Sequence, residues 1–169
     1  MDQYKTFGKR FWAGFIDGLV LLPLSSFNDY LSAPARGPLI LVTWAIFSYS
    51  AYWIYSVLLH ARYGQTVGKR VMHVKVLDVS EERIPSLAQA FLRDSGWIII
   101  NISMLIYLVF LVLTHKYIHG TEQADTVPGQ ILAFAGLGWF VLEILTMLTN
   151  SKRRALHDLI AHTVVVRVD

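Results

Sequence analysis

The chain has 169 residues, of which 54% are hydrophobic and only 16% are charged, and its mean hydropathy is +0.46. Soluble domains carry about 25% charged residues, so this balance predicts a protein that lies in lipid. The length allows a single domain, residues 1–169. The absence of cysteine excludes a disulfide scaffold and a thiolate metal site. The net charge of +3 does not indicate nucleic-acid binding, because the basic residues lie between apolar segments.

Four apolar runs approach the roughly 20 residues that a helix needs to cross about 30 Å of hydrocarbon. They lie at about 11–27, 39–61, 96–114 and 130–149. The first contains Asp17 and Pro23, and Pro23 is expected to kink its helix or end it early. A cleaved signal peptide is the alternative for this run, but Asp17 argues against it. The pattern predicts an all-α membrane protein, a bundle of four transmembrane helices.

The distribution of Lys and Arg predicts the orientation of this bundle. These residues concentrate before the first run, in loop 62–95 and in tail 150–169, whereas the other two loops carry only Arg36 and Lys116. Cytoplasmic segments of membrane proteins are enriched in Lys and Arg. Both termini and the middle loop are therefore expected in the cytoplasm.

The cytoplasmic segments contain two β-rich runs and two helix signals. Residues 71–78 and 163–168 are predicted to pair into a small ribbon, which needs support from the membrane face or the helix ends. Ser86, after Pro85, is the predicted N-cap of an interfacial helix that runs into the third span. Residues 151–161 are predicted to form a second interfacial helix.

Ionisable side chains at membrane depth are costly and therefore mark candidate functional sites. Asp17 and Glu143 each lie six or seven residues from the cytoplasmic end of their spans, which corresponds to roughly 9–10 Å of helix. The same count in the other two spans reaches Asn101, Ser103, Tyr55 and Ser56. The two carboxylates could share a proton or coordinate a desolvated cation. Alternatively, they are paired and only specify how the helices pack.

Small residues accompany both of these carboxylates. Gly14 and Gly18 form a G-x-x-x-G pair around Asp17, which predicts the close approach of another helix, and Gly136 precedes Glu143 by seven residues. Arg10 lies seven residues before Asp17 and therefore on the same helix face.

Other site chemistries fit the sequence poorly. His157, Asp158 and His162 lack the spacing of a metal site. Residues 64–70 differ from a phosphate loop in glycine spacing and in the Arg after Lys69, so Lys69 and Arg70 are expected to meet anionic lipid headgroups. No nucleophile pattern is evident, and we expect neither an enzyme nor a cofactor.

Several blocks of the sequence resemble the RDD family of small membrane proteins, which is named for one arginine and two aspartates. These blocks are residues 9–17, 64–70 leading into 74–78, 91–93 and 156–166. The resemblance assigns the naming residues to Arg10, Asp17 and Asp158. It implies a multi-pass protein, often of a prokaryotic cytoplasmic membrane, that is suspected of transporting an undefined ligand. Cation/proton antiport has been assigned to some similar proteins.

These observations favour a transporter of a small solute or a cation, with Na⁺(K⁺)/H⁺ antiport as its specific form. Asp17 is expected to accept the proton and the cation, Arg10 to gate it electrostatically, and Asp158 to hold the cytoplasmic mouth, with Glu143 and Asn101 at the depth of Asp17. The expected partners are the bilayer, a monovalent cation and proton or a small solute, and further copies of the chain. The alternative is a non-transporting scaffold or accessory subunit with a structural Arg/Asp/Asp cluster, and the lack of an inverted repeat counts modestly in its favour.

Overall fold

The computed structural model describes residues 2–31, 37–114 and 126–168. Its elements, in chain order, are a 3₁₀ turn (Asp2–Tyr4), α1 (Phe7–Ser26), α2 (Asn28–Leu31), α3 (Pro38–Tyr63), α4 (Val67–Val71), β1 (Val74–Asp78), α5 (Leu87–Leu113), α6 (Val127–Thr149), α7 (Leu156–Ile160) and β2 (Thr163–Arg167). The protein is therefore mostly helical, with one small two-stranded sheet.

Three helices are long and apolar enough to cross a membrane, namely α3, α5 and α6. They correspond to the predicted second, third and fourth spans. The predicted first span forms α1, which continues through Pro23 to Ser26. Because α1 carries Lys9, Arg10 and Asp17, it is not among the three. The fourth crossing and the orientation stay predictions, and Arg36 and Lys116, which bear on the orientation, lie outside the described residues.

Helix α5 lies between α3 and α6 and packs against both. Leu41 and Ala45 of α3 form a buried apolar seam with Leu108 of α5. Only 6% of the most apolar stretch of α6 is buried, and Ile131 and Phe134 are well exposed on it. Apolar surface of this extent is costly in water, so the outer face of α6 suits contact with lipid.

The start of α5 confirms the predicted N-cap and corrects the predicted span. The Ser86 hydroxyl accepts a hydrogen bond from the Gln89 amide nitrogen (3.2 Å), and the Gln89 side chain accepts one from the Ser86 amide (3.0 Å). This reciprocal pair satisfies two donors that have no partner within the helix. The helix that begins here runs into the third span, as predicted, so Asp94, which the predicted loop bounds include, lies on α5.

The two β-rich runs pair as predicted. Strands β1 and β2 are antiparallel, with Val74 opposite Arg167 and Asp78 opposite Thr163. Val74, Val76 and Val165 form the buried core of this ribbon. The first strand is shorter than predicted, because residues 67–71 form α4.

The predicted helix over residues 151–161 is wrong in its first half. Only Leu156–Ile160 is helical, and Arg153 has a positive φ of 47°. Asn150 explains the turn: its side-chain oxygen accepts a hydrogen bond from the Arg154 amide nitrogen (2.8 Å), and its side-chain nitrogen donates to the Arg154 carbonyl (2.7 Å). Asparagine side chains that bond to nearby backbone in this way compete with helix formation.

Close backbone approach occurs at glycines other than the predicted pair. No atom outside the helix lies within 4 Å of a Cβ built on Gly14 or Gly18, so the G-x-x-x-G pair brings no described helix close. A Cβ on Gly68 would lie 2.0 Å from the Ala13 carbonyl oxygen, and one on Gly96 would lie 2.2 Å from the Trp139 ring. These two glycines permit the contacts of α4 with α1 and of α5 with α6.

Candidate functional site

A cavity of about 570 Å³ lies between α1, α3, α5 and α6, with α4 and α7 at its edge. Four of the predicted site residues line it, namely Arg10, Asp17, Asn101 and Glu143. Ser56 of the predicted polar layer also lines it, whereas Tyr55 does not and instead donates a hydrogen bond to Asp17. Ser103 departs from that layer, because its hydroxyl donates to the Ile99 carbonyl of its own helix (2.9 Å) and it does not line the cavity.

Asp17 is buried and holds α4 against α1. Its Oδ1 accepts hydrogen bonds from the Tyr55 hydroxyl (2.7 Å) and from the Gly68 amide nitrogen (2.7 Å), and its Oδ2 accepts one from the Thr66 hydroxyl (2.6 Å). The Thr66 hydroxyl in turn accepts from the Lys69 amide nitrogen (3.3 Å) and caps α4. Three donors thus converge on one carboxylate and occupy most of its acceptor capacity.

Arg10 turns away from Asp17 and pairs with the other naming aspartate. Its Nη2 lies 2.7 Å from Asp158 Oδ2, and Arg93 Nη1 lies 2.5 Å from Asp158 Oδ1. Asp158 Oδ2 also accepts from the Ala155 amide nitrogen (3.0 Å). The side chain of Asp158 is fully buried, and that of Arg93 is 3% exposed. The naming residues therefore form two separate clusters, one at Asp17 and one at Asp158.

The charges around Asp158 keep it ionised. Burial by itself raises the pKa of this carboxyl, but the guanidinium groups of Arg10 and Arg93 outweigh burial and hold the pKa well below its usual range. A buried carboxylate between two arginines is costly to disrupt, because loss of one partner leaves a buried charge uncompensated.

His157 joins the Asp158 cluster to Glu143. Its Nε2 lies 3.0 Å from Nη2 of Arg10 and 3.0 Å from Nη2 of Arg93, and its Nδ1 lies 2.6 Å from Glu143 Oε1. Guanidinium nitrogens only donate, so His157 Nε2 accepts their hydrogen bonds. His157 Nδ1 then carries the proton and donates a hydrogen bond to Glu143. The Trp139 indole nitrogen donates to the same Glu143 oxygen (2.7 Å). Glu143 is therefore part of a network that extends from α6 to α1.

Three other groups in the cavity wall lack such partners. His60 is 2% exposed, and its Nε2 makes no hydrogen bond; Asp94 Oδ2 is likewise buried without one. In the ranges that the structure describes, the ammonium group of Lys69 forms no salt bridge within 4.0 Å. Buried polar groups usually have hydrogen-bond partners, so unpartnered groups beside a cavity require an explanation.

Sequence reasoning missed His60, Lys69, Asp94, Arg93 and His157 as site residues. The predicted bounds put Arg93 and Asp94 in the loop, because the third apolar run begins at residue 96. Lys69 was expected at lipid headgroups, but it is half-buried and lines the cavity. The capping signal at Ser86 puts Arg93 and Asp94 on the helix that runs into the third span, and this position could have marked both as candidates.

Among residues 2–31, 37–114 and 126–168, no group of three or more side chains is arranged to hold a metal ion. From the sequence, His157 and Asp158 are weak candidates as metal ligands. In the structure their polar atoms bond to Glu143, Arg10 and Arg93. The donor set thus forms an ion-pair network.

The family model described as the RDD family matches residues 4–162 of the chain. No curated protein and no solved structure matches it. The match spans α1, the cavity-lining helices and α7, and it includes both aspartate clusters.

Proposed function

The chain belongs to the RDD family and has the apolar helices of a membrane protein, and from this premise we propose that it transports a small solute or a cation bound in the cavity. One observation carries the proposal. A cavity of about 570 Å³ between the helices is lined by ionisable groups without partners. Ligand sites of helical proteins commonly lie between helices and have volumes of roughly 300–1,000 Å³.

Exchange of Na⁺ or K⁺ for H⁺ is the specific form of this proposal. A group that binds a proton or a cation in turn needs a free oxygen. Asp94 offers one in Oδ2, whereas the oxygens of Asp17 already accept three hydrogen bonds. In this mechanism Asp94 binds the ion, and Asp17 keeps α4 and Lys69 in place.

Transport also requires a complete path across the bilayer. We propose that α1 is the fourth crossing, that both termini and the ribbon lie in the cytoplasm of a prokaryotic cell, and that further copies of the chain pack on α6. The basic residues of the middle loop and the tail support this orientation. The apolar outer face of α6 leaves space for a second copy of the chain in place of lipid.

A non-transporting scaffold or accessory subunit is the second candidate. The saturated clusters at Asp17 and Asp158 favour it, because residues with all their bonds made stabilise a structure without any solute. On this hypothesis the cavity has no ligand, and the loss of either cluster affects only folding or partner binding.

We expect wild-type protein in proteoliposomes to move protons after Na⁺, K⁺ or Li⁺ gradients are imposed, or to take up a small solute such as radiolabelled leucine. Asp94→Asn removes the free carboxylate and should lower the active flux by about tenfold or more, the factor that corresponds to 1.4 kcal/mol. A pH-sensitive dye inside the vesicles and filter assays of uptake measure the two fluxes.

Glu82→Gln is the matched control, since Glu82 is an exposed acid outside the cavity. Asp17→Asn tests the second candidate, which attributes its effects to lower stability. Absence of all fluxes from folded, inserted wild-type protein would overturn the transport proposal and leave the scaffold.

A further inference from the structure

The unpartnered groups in the cavity divide into acceptors and a donor. His60 Nδ1 lies 3.1 Å from the Ser56 hydroxyl oxygen, so Nε2 is the ring nitrogen without a partner. A neutral imidazole carries its proton on one nitrogen, and in the tautomer with the proton on Nδ1 the ring donates to Ser56. His60 Nε2 is then an acceptor, as is Asp94 Oδ2. His60 Nε2 and Asp94 Oδ2 therefore each lack a donor, and the ammonium group of Lys69 lacks an acceptor.

Two opposite charges of the cavity wall form no ion pair within the described residues, namely Lys69 and Asp94. The other charged groups of the wall are already bonded: Arg10 and Arg93 to Asp158, Asp17 to three donors, and Glu143 to His157 and Trp139. A small cation satisfies only Asp94 and leaves Lys69 without a counter-charge, whereas a ligand that carries both charges satisfies both groups.

The remaining wall of the cavity is apolar and aromatic. Phe11 of α1, Tyr49 of α3, Trp97 of α5 and Phe140 of α6 contribute to it. Such surfaces hold the uncharged body of a ligand by burial, while a few polar groups fix its orientation.

We propose that the cavity binds a small zwitterion with an apolar body, such as a free aliphatic amino acid. Its ammonium group donates to Asp94 Oδ2 and His60 Nε2, and its carboxylate pairs with Lys69. The aromatic wall contacts the side chain of the ligand. This inference rests on the proposed function in one respect, that the cavity is a solute site, but binding itself does not require transport.

Three probes of one shape test this inference on the full chain in nanodiscs by isothermal titration calorimetry. They are leucine, 3-methylbutylamine, which lacks the carboxylate, and 4-methylpentanoate, which lacks the amine. Loss of a hydrogen bond to a charged group costs about 1.5–3 kcal/mol, so leucine should bind roughly 10- to 100-fold more tightly than either analogue. Equal or tighter binding of the amine, or no binding of leucine, would overturn the proposal.

Variants assign the two ends of the ligand. Asp94→Asn should remove the advantage of leucine over 4-methylpentanoate, and Lys69→Met its advantage over 3-methylbutylamine. Arg70→Met is the matched control, because Arg70 is the exposed neighbour of Lys69 and does not line the cavity. Loss of leucine binding in Arg70→Met but not in Lys69→Met would contradict the assignment. The probe series on the wild-type protein keeps the proposal testable if a variant does not fold.

Different results would overturn the transport proposal and the zwitterion-binding proposal. Leucine binding without any flux would support the zwitterion site and overturn transport. Cation-driven proton flux without leucine binding would support transport and overturn the zwitterion site.

Leucine affinity should also fall as the pH rises through about 8. Burial and, after it, the charge of Arg93 lower the pKa of Lys69 to about 8. Above this pH the free protein loses the charge that attracts the ligand carboxylate, so the affinity should fall by up to about tenfold per pH unit. The other charged or titratable groups that interact with Lys69 are Arg10, Asp17, Asp94 and His60.

Titrations between pH 7 and 9.5 measure this effect. Lys69→Arg keeps its charge over the whole range, so its affinity should change only as far as the leucine amine itself loses its proton. A steeper fall in wild-type protein than in Lys69→Arg is the expected result. Parallel curves for the two proteins would show that Lys69 does not contact the carboxylate.

Discussion

Replacement of Asp158 by asparagine is expected to destabilise the protein by about 3–5 kcal/mol, the cost of breaking a buried ion pair by the removal of one partner. Asp158 is fully buried between Arg10 and Arg93, and these two guanidinium groups would lose their counter-charge. Because α1, α5 and α7 meet at this carboxylate, the loss should affect the ends of all three helices near this cluster.

Unfolding of the purified protein in detergent, followed by tryptophan fluorescence, measures this loss. Glu82→Gln, at an exposed site, should unfold as the wild-type protein does. A double variant, Asp158→Asn with Arg93→Met, removes one of the uncompensated charges and should be less destabilised than the sum of its single variants. Wild-type stability of Asp158→Asn would show that the cluster contributes nothing to folding.

The pH dependence of this contribution follows from the depressed pKa of Asp158. The native carboxyl has a pKa well below that of an unfolded aspartate, which is about 3.9. The stabilisation is therefore fully present above the unfolded pKa and is lost only as the pH falls toward the native one. Comparisons of Asp158→Asn with wild-type protein at neutral pH thus measure the whole effect.

Gly68→Ala is expected to separate α4 from α1. Its Cβ would lie 2.0 Å from the Ala13 carbonyl oxygen, so the backbone has to move and the 2.7 Å hydrogen bond from the Gly68 amide to Asp17 is lost. Overpacking costs about 1–3 kcal/mol, and a hydrogen bond to a charged group adds about 1.5–3 kcal/mol. Leucine binding should weaken as well, since α4 carries Lys69.

Gly14→Ala and Gly18→Ala are the matched controls for this prediction. Both lie on α1 beside Asp17, and a Cβ at either position meets nothing within 4 Å. Alanine favours a helix over glycine by about 1 kcal/mol, so these variants should be as stable as the wild-type protein or more stable. Thermal unfolding of the three variants in one detergent makes the comparison. A harmless Gly68→Ala together with a damaging Gly14→Ala would contradict the observed packing.

The predictions that succeeded depend on local signals. The apolar runs predicted α3, α5 and α6, because a bilayer sets the length of a spanning helix. Alternating β-branched residues predicted the ribbon, and the Ser86 cap signal correctly placed the start of α5. One failure was local as well: Asn150 turns the chain where the sequence predicts a helix.

Charge and hydropathy along the chain were sufficient to predict a membrane protein with polar residues at one depth. They could not show which of those residues are bonded and which are free, because that depends on contacts between distant segments. Arg10 and Asp158 are separated by 148 positions, and Asp17 and Gly68 by 51. Through these contacts the predicted site residues make hydrogen bonds and ion pairs, whereas His60, Lys69 and Asp94 keep polar atoms without a partner. The sequence by itself determined the helices and their apolar composition, since each follows from neighbouring residues. Only the tertiary structure decided which polar groups of the cavity wall have no partner, since that depends on contacts between distant segments.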